Sequence, residues 1–481
     1  MSSVISTSAT AKGFLLDGQW INNGTVSEIR SPYDQRVVGA VGMATRAHAE
    51  QAVTAAVRAF EVTRRLPAYE RQRILRDVAR GIAQRHEEFS RSICSEAGKP
   101  IKTARAEVDR AVFTFTVAAE EAGRIGGEYL PMDLQASTAG RWGMVRRYPV
   151  GAIAAITPFN FPLNLVAHKI APAIACGCTM VLKPAPQTPL TALLLAEVVQ
   201  QDGLPAGALN VLPLSNEDAS PLITDDRLAM LTFTGSAAAG WQLKSRSGKK
   251  RVTLELGGNA GVIIHSDADL DFAAERCVAG GFSYSGQSCI SVQRILVHRS
   301  IYNEFLENFL GRVAKLKIGD PQDEATDLGP LIRESDAKRA VDWILEAIAD
   351  GARLLRGGKR DGALVEPTVL TGTTAKMRVN CEEVFAPVKT VEAYDDFSQA
   401  LASINSTRYG LQAGLFTNDA RLIFQAYDDL QVGGVIVGDV PTFRIDHMPY
   451  GGVKDSGLGR EGLRYAIEEM TERKLLVMNL K

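Results

Sequence analysis

The sequence predicts an α/β protein with two parallel-sheet domains and a β-rich arm, on the strength of three observations. From Val150 to Leu256 short apolar strands alternate with helical segments such as Leu190 to Gln201, the pattern of a parallel sheet with crossover helices. A second strand-and-helix series runs from Ala260 to about Leu458. Two strand-like pieces, 124–149 and the C-terminal tail, are needed by neither series.

Taken in order, Met1 to Lys12 is rich in Ser, Thr and Ala and lacks the basic start and apolar centre of a secretory signal. Residues 45–125 carry apolar positions at helical spacing, as in Ala49 to Phe60 and Ile74 to Ile93. The piece from Arg124 to Pro149 holds strand-like stretches at Glu128-Tyr129-Leu130 and Trp142 to Val145. Val150 to Ile156 and Thr179 to Leu182 read as buried strands, and Leu228 to Phe233 as another, which a tight turn at Thr234-Gly235-Ser236 joins to a helix from Ala237 to Lys244. Val252 to Glu255 is a β-rich run that stops at Gly257-Gly258-Asn259, so the domain junction near Gly258 is a short hinge. Lys474 to Leu480 is an apolar terminal strand, a sticky edge on a monomer.

A chain of 481 residues has ample length for more than one core. The balance of 54 basic against 55 acidic residues disfavours nucleic acid or an anionic membrane as a partner. Six cysteines lack disulfide or zinc spacing, and six scattered histidines form no paired motif, so no metal site is expected. No apolar run reaches the length of a membrane span. These features predict a soluble protein of a reducing compartment, placed in the cytoplasm.

Chemistry is concentrated at Cys289, in Gly286-Gln287-Ser288-Cys289. Alone it could equally be a small buried apolar residue. Its small, polar neighbours suit an exposed turn and a reachable thiol. A thiol that attacks an aldehyde needs help to ionise, a donor for the oxyanion and a hydride acceptor. Glu255 offers a general base, although a salt-bridged surface Glu is the ordinary alternative. Asn160, after the strand ending at Ile156, offers an oxyanion donor, or is simply a turn residue.

Seven blocks in order make the combination specific: Pro158 to Pro162, Leu182 to Ala185, Phe233 to Ser236, Leu254 to Gly258, Gly286 to Cys289, Glu382 to Pro387 and Pro449 to Gly457. On these, and on the 34-residue interval from Glu255 to Cys289, the chain resembles the NAD(P)-dependent aldehyde dehydrogenase superfamily over nearly its whole length, on the lactaldehyde, phosphonoacetaldehyde and semialdehyde dehydrogenase side. The resemblance implies two Rossmann-like domains, the dinucleotide-binding one at 1–123 and 150–258 and the catalytic one at 259–465. It also implies an oligomerisation arm at 124–149 and 466–481 that completes a sheet in a neighbouring subunit of a dimer or dimer of dimers. It makes Cys289 the nucleophile, its backbone N–H with Asn160 the oxyanion hole, and Glu255 the base that activates water. The implied reaction takes an aldehyde through a thiohemiacetal and a thioester to a carboxylic acid. A carboxylate at position 255 favours hydrolysis over transfer to coenzyme A. A cofactor-independent esterase is a side activity of the same thiol.

For the cofactor, the strand, turn and helix around Gly235 and Ser236 leave free N–H groups for a pyrophosphate. The resemblance adds Thr157, Pro158, Phe159, Lys183, Ala185, Leu256 and Gly257, with Glu383 and Phe385 at the nicotinamide ribose and ring. Pro186 replaces the Glu with which many NAD-dependent relatives hold the ribose hydroxyls, so NAD is expected to work and NADP to be tolerated. For the substrate, the resemblance points to Arg110, Phe161, His168, Ser288, Ile290, Arg444 and His447. Two arginines suit a short aldehyde with a polar or anionic far end, unless Arg110 simply pairs with a nearby carboxylate and Arg444 sits in solvent; a general aliphatic or aromatic aldehyde is the alternative. Ser288 and Phe161 stand where phosphonoacetaldehyde enzymes tend to carry Arg and His, which weakens a phosphonate.

Overall fold

The computed structural model describes residues 11–22 and 25–479; the Ser/Thr/Ala-rich start from Met1 to Thr10 and Leu480 of the terminal strand lie outside them. The strand Ala152–Ile156 is buried at every position but its last. A strand covered by helices on both faces shows no polar face to water, which explains its continuous apolar run. It is central to an eight-stranded sheet whose parallel part runs Leu209–Val211, Thr179–Lys183, Ala152–Ile156, Leu228–Thr234, Arg251–Glu255. Strand order reverses beside Ala152–Ile156, and in such sheets a crevice opens there at the carboxyl ends of the strands.

Helices cover this sheet because their apolar residues recur on one face: on Ala68–Gln84 the buried positions are Ile74, Leu75, Val78, Ala79 and Ile82. Each large side chain so buried contributes about 1.5–3 kcal/mol. Two helices that follow strand ends, Asn164–Cys176 and Pro189–Gln201, have no side-chain cap of their own. Carboxylates from other helices supply it. Glu107 accepts from the Leu163 and Asn164 N–H groups at 3.0 and 3.1 Å, and Glu96 from those of Leu190 and Thr191 at 2.8 and 2.9 Å. A carboxylate there satisfies orphan donors and meets the positive end of the helix dipole.

The second sheet has seven strands, in the order Arg353–Arg356, Thr368–Thr371, Val388–Tyr394, Val292–His298, Ala260–Ile264, Gln412–Phe416, Gly434–Val437. All neighbours are parallel except the first pair. The chain passes from one sheet to the other between Glu255 and Ala260. It later returns: Gly457–Leu458 pairs antiparallel with Arg251–Glu255, and the helix Leu463–Glu469 buries Leu463 and Ile467 in the first core. The expected end of the second domain at 465 therefore differs from the packing, since the edge strand and the helix after it belong with the first sheet.

Thr471–Asn479 pairs with Arg141–Pro149 along its whole length, and Gly127–Pro131 lies on the other side, so the expected arm is a three-stranded antiparallel sheet within one chain. Among the described residues, no helix is long and apolar enough to cross a membrane.

Candidate active site

The two sheets meet at a cavity of about 540 Å³. The first sheet sends its carboxyl ends into it: Pro158, Phe159 and Asn160 follow Ala152–Ile156, Gly235 and Ser236 follow Leu228–Thr234, and Glu255 ends its own strand. The second sends the segments that precede its strands: Ser288, Cys289 and Ile290 before Val292–His298, Glu383 and Phe385 before Val388–Tyr394.

Cys289 is held by a buried turn rather than the exposed one its polar neighbours suggested. Tyr284, Ser285 and Gly286 have φ of 48°, 53° and 74°, in the left-handed region that costs a non-glycine residue about 1–3 kcal/mol. Hydrogen bonds hold this geometry: the Tyr284 hydroxyl donates to the Ala97 carbonyl at 2.8 Å and Ser285 Oγ to Gly329 at 2.6 Å, while Gln287 Oε1 accepts from the Ile332 N–H at 2.9 Å. A Cβ on Gly286 would overlap the Ala386 carbonyl. The turn is buried because its polar groups are satisfied inside, and it presents Ser288 and Cys289 to the cavity.

Cys289 Sγ lies 3.0 Å from the Tyr450 hydroxyl. Burial pushes the thiol up to about 12, with the Tyr450 contact acting in the opposite direction, so the resting thiol keeps its proton. Asn160 is buried and donates one Nδ2–H to the Gln287 carbonyl at 3.0 Å, which leaves the second for another acceptor.

Glu255 is buried, and neither of its carboxylate oxygens has a hydrogen-bond partner among the described residues. Burial first, and the negative charge of Glu461 second, raise its proton affinity well above the usual carboxylate range. Glu461 is the opposite case. Despite its burial, Lys169 at 2.8 Å and Arg444 at 2.9 Å hold it ionised, down at about 2. The ionised Glu461 thus stays paired with its two cations, and its charge helps to keep a proton on Glu255.

The far wall holds Arg110, Phe161, Arg444 and Tyr450. Arg110 donates to Asp446 at 2.6 Å, and a buried Lys99, paired with Glu107, places its ammonium 3.7 Å from the Phe161 ring centre and 4.5 Å from that of Tyr284. Arg110 pairs with a carboxylate as foreseen, whereas Arg444, expected in solvent on that alternative, is buried and paired with Glu461 at 2.9 Å, and both line the cavity. Among the described residues, the Nε atoms of Arg110 and Arg444 are buried without a hydrogen-bond partner.

Of the expected substrate contacts, His168 and His447 are not among the lining residues. His168 is buried behind the wall, bonded to Asp446 at 2.9 Å, and His447 is exposed. Thr157, Lys183, Ala185 and Pro186 also stand outside this cavity, on a neighbouring strand end where the Thr157 N–H donates to the Lys183 carbonyl at 3.2 Å. Reading by residue pattern missed Lys99, Glu107, Lys169, Tyr450 and Glu461 as parts of the site. Tyr450 had a signal, its place in the Pro449-to-Gly457 block, but the other four look like ordinary helix or loop charges until their partners are known.

A family model described as the aldehyde dehydrogenase family matches residues 20–476. The chain belongs to the aldehyde dehydrogenase family. It is 43% identical over 469 residues to a 3-sulfolactaldehyde dehydrogenase of Priestia aryabhattai, covering 97% of this chain and 98% of the relative. Among solved structures it is similar to aldehyde dehydrogenase 21 of Physcomitrella patens in complex with the reaction product succinate, with a TM-score of 0.97, 45% identity and 98% and 99% of the two chains covered. A second is glyceraldehyde-3-phosphate dehydrogenase GapN of Methanocaldococcus jannaschii complexed with NADP, with a TM-score of 0.92, 39% identity and 95% and 100% covered. This aldehyde dehydrogenase is an NAD(P)-dependent, non-acylating enzyme that oxidises an aldehyde to a carboxylic acid by way of a catalytic cysteine.

The residues present fit the dinucleotide. Ser236 caps the helix Ala237–Arg246 by accepting from the Ala239 N–H, leaving the first N–H groups of the helix for a phosphate. Glu383 accepts from the Gly258 N–H at 2.9 Å, and a Cβ on Gly257 would overlap that carboxylate, so the glycines let it reach the cavity. Phe385, at φ 51°, meets Phe159 edge to face at 6.1 Å.

Proposed function

We propose that this aldehyde dehydrogenase acts on short aldehydes that carry an anionic group at the end remote from the carbonyl. The observation that carries the reading is the pair of Nε donors on Arg110 and Arg444, buried in the cavity wall without a hydrogen-bond acceptor among the described residues, although Asp446 stands 4.0 Å from that of Arg444. Buried guanidinium donors are normally satisfied, and a carboxylate or sulfonate supplies the missing acceptors. The relatives support it, since the names of all three carry an anion: sulfolactaldehyde, succinate and glyceraldehyde 3-phosphate.

In this reading the Cys289 thiol gives its proton to Glu255 by way of water, which passes it on to solvent, and Sγ adds to the carbonyl carbon while the free Asn160 Nδ2–H and the Cys289 N–H donate to the oxyanion. NAD(P), when bound, supplies the hydride acceptor. Glu383 and Phe385 orient it from one side, and Ser236 with the helix start holds it from the other. Glu255 then takes a proton from the water that attacks the Cys289 thioester, and the acid leaves. The Glu255 oxygens, without a hydrogen-bond donor among the described residues, are open to that water, and the raised proton affinity makes Glu255 a stronger base than an ordinary carboxylate.

The finer cofactor preference follows from position 186. Pro186 is exposed and offers no carboxylate against a 2′-phosphate, while Lys183, pushed down to about 8 by burial, makes no ion pair among the described residues and is available to an adenosine ribose. We expect NADP to be accepted beside NAD. The exposed arm residues Tyr129 and Leu475, 68% and 50% accessible, support association with a second copy of the chain. Six unpaired thiols suit the cytoplasm.

The test is reduced-cofactor formation with succinate semialdehyde, lactaldehyde, glyceraldehyde, benzaldehyde and hexanal. Succinate semialdehyde is expected to lead in kcat/KM, and Arg110→Ala to erase that lead by about 10-fold or more. A lead for hexanal or benzaldehyde that survives Arg110→Ala would make the arginines structural and the enzyme a general aldehyde oxidiser.

A further inference from the structure

The Tyr450 ring completes the cavity wall, but its hydroxyl makes a contact that a wall does not require. It is the one side-chain hydrogen-bond partner of Cys289 Sγ among the described residues, at 3.0 Å, whereas the Glu255 oxygens bond to nothing. The opposite feature of the same residue is its face. The Arg444 guanidinium carbon sits 3.7 Å from the ring centre, and Arg444 is itself fixed by Glu461 at 2.9 Å. A cation on the face of a phenol draws density from the ring and makes its O–H a better donor. We propose that Tyr450, polarised by Arg444, is a catalytic residue: its hydroxyl donates to the Cys289 sulfur as the thiolate forms and governs how readily the thiol ionises. Arg444 is the positioning residue that acts through it.

The charges around the sulfur show why such a donor is needed. Glu383 and Glu255 face Cys289 and oppose a thiolate, Arg444 favours one, and the Tyr450 hydrogen bond is the largest influence that lowers the proton affinity against burial. The groups facing Tyr450 are Cys289, Arg444 and Glu255, and burial keeps the phenol protonated. Tyr450 is therefore a donor at every pH at which the enzyme is expected to work. Hydrogen bonds to an ionised partner are roughly twice as strong as neutral ones, so this contact strengthens as the sulfur ionises.

Tyr450→Phe keeps the wall and removes the donor. The experiment is the pH dependence of Cys289 alkylation by iodoacetamide in the full-length enzyme, with and without NADP, quantified on the Cys289 peptide, beside the steady-state kinetics of aldehyde oxidation. Iodoacetamide is neutral and needs no aldehyde, so the result does not depend on the anionic-substrate reading. The expected result is alkylation about 10-fold slower at neutral pH, an alkylation profile moved to higher pH by about one unit, and a fall in kcat that exceeds any rise in KM for the aldehyde. An alkylation profile that superimposes on that of the wild type overturns the proposal, including the case in which activity falls through KM alone and Tyr450 is wall and nothing more.

Discussion

The two lobes serve one cavity by opposite means. The first places Asn160, Ser236 and Glu255 at the carboxyl ends of its strands, where a parallel sheet opens its crevice, and none of the three has a left-handed backbone. The second must use the amino ends of its strands, and it reaches the cavity through strained segments: Tyr284 and Ser285 beside the nucleophile, Phe385 beside Glu383. A base and an oxyanion donor can rest on stiff strand ends. In the proposed mechanism the nucleophile comes from the other side, on a strained turn that hydrogen bonds to Ala97, Gly329 and Ile332 hold in place.

The comparison can be broken most severely at the nucleophile. Cys289→Ala is expected to lower aldehyde oxidation by about 10⁴-fold or more and to abolish cofactor-free hydrolysis of p-nitrophenyl acetate. Either activity surviving would put the reactive thiol elsewhere. On the first lobe, Glu255→Gln should cost about 10² to 10³ in kcat while a burst of reduced cofactor persists, because thioester formation outlives its hydrolysis. Glu255 must be deprotonated to act, and burial with Glu461 raises its proton affinity, so the wild-type kcat should fall with decreasing pH from a point above the usual carboxylate range. That acid limb should be absent from Glu255→Gln. Gly286→Ala tests the strain: a side chain at φ 74° that overlaps the Ala386 carbonyl is expected to destabilise the enzyme by about 1–3 kcal/mol, read as a lower denaturation midpoint. The smallest effect is at Pro186→Glu, where the ratio of kcat/KM for NADP over NAD should drop by about 10-fold, and an unchanged ratio would remove position 186 from the choice.

What could be read ahead of the structure follows the same division. Strand ends in the first lobe announce themselves, since an apolar run stopping at Asn160, Gly235 or Glu255 marks both the element and the residue it presents. The buried turn at Cys289 did not, because its composition, small and polar, is that of an exposed loop, and only distant partners such as Gly329 make burial tolerable. Arg110 and Arg444 were legible as cavity residues, but not Asp446 and Glu461 opposite them, which lie 336 and 17 positions away along the chain. His168 was misplaced for a related reason: the whole of the helix Asn164–Cys176 is buried, so it has no polar face by which to tell an inward histidine from a lining one.

The carboxylates of Glu107 and Glu96 have a consequence for anyone transplanting this site. The loop that carries Asn160 ends on N–H groups held by a residue more than fifty positions earlier, and the segment after Lys183 ends on N–H groups held by another, more than ninety earlier. A graft of either loop alone would leave its anchor behind. The transferable unit is a loop together with its remote glutamate, and chimaeras cut between Glu107 and Leu163 would part both Glu96 and Glu107 from the backbones they hold.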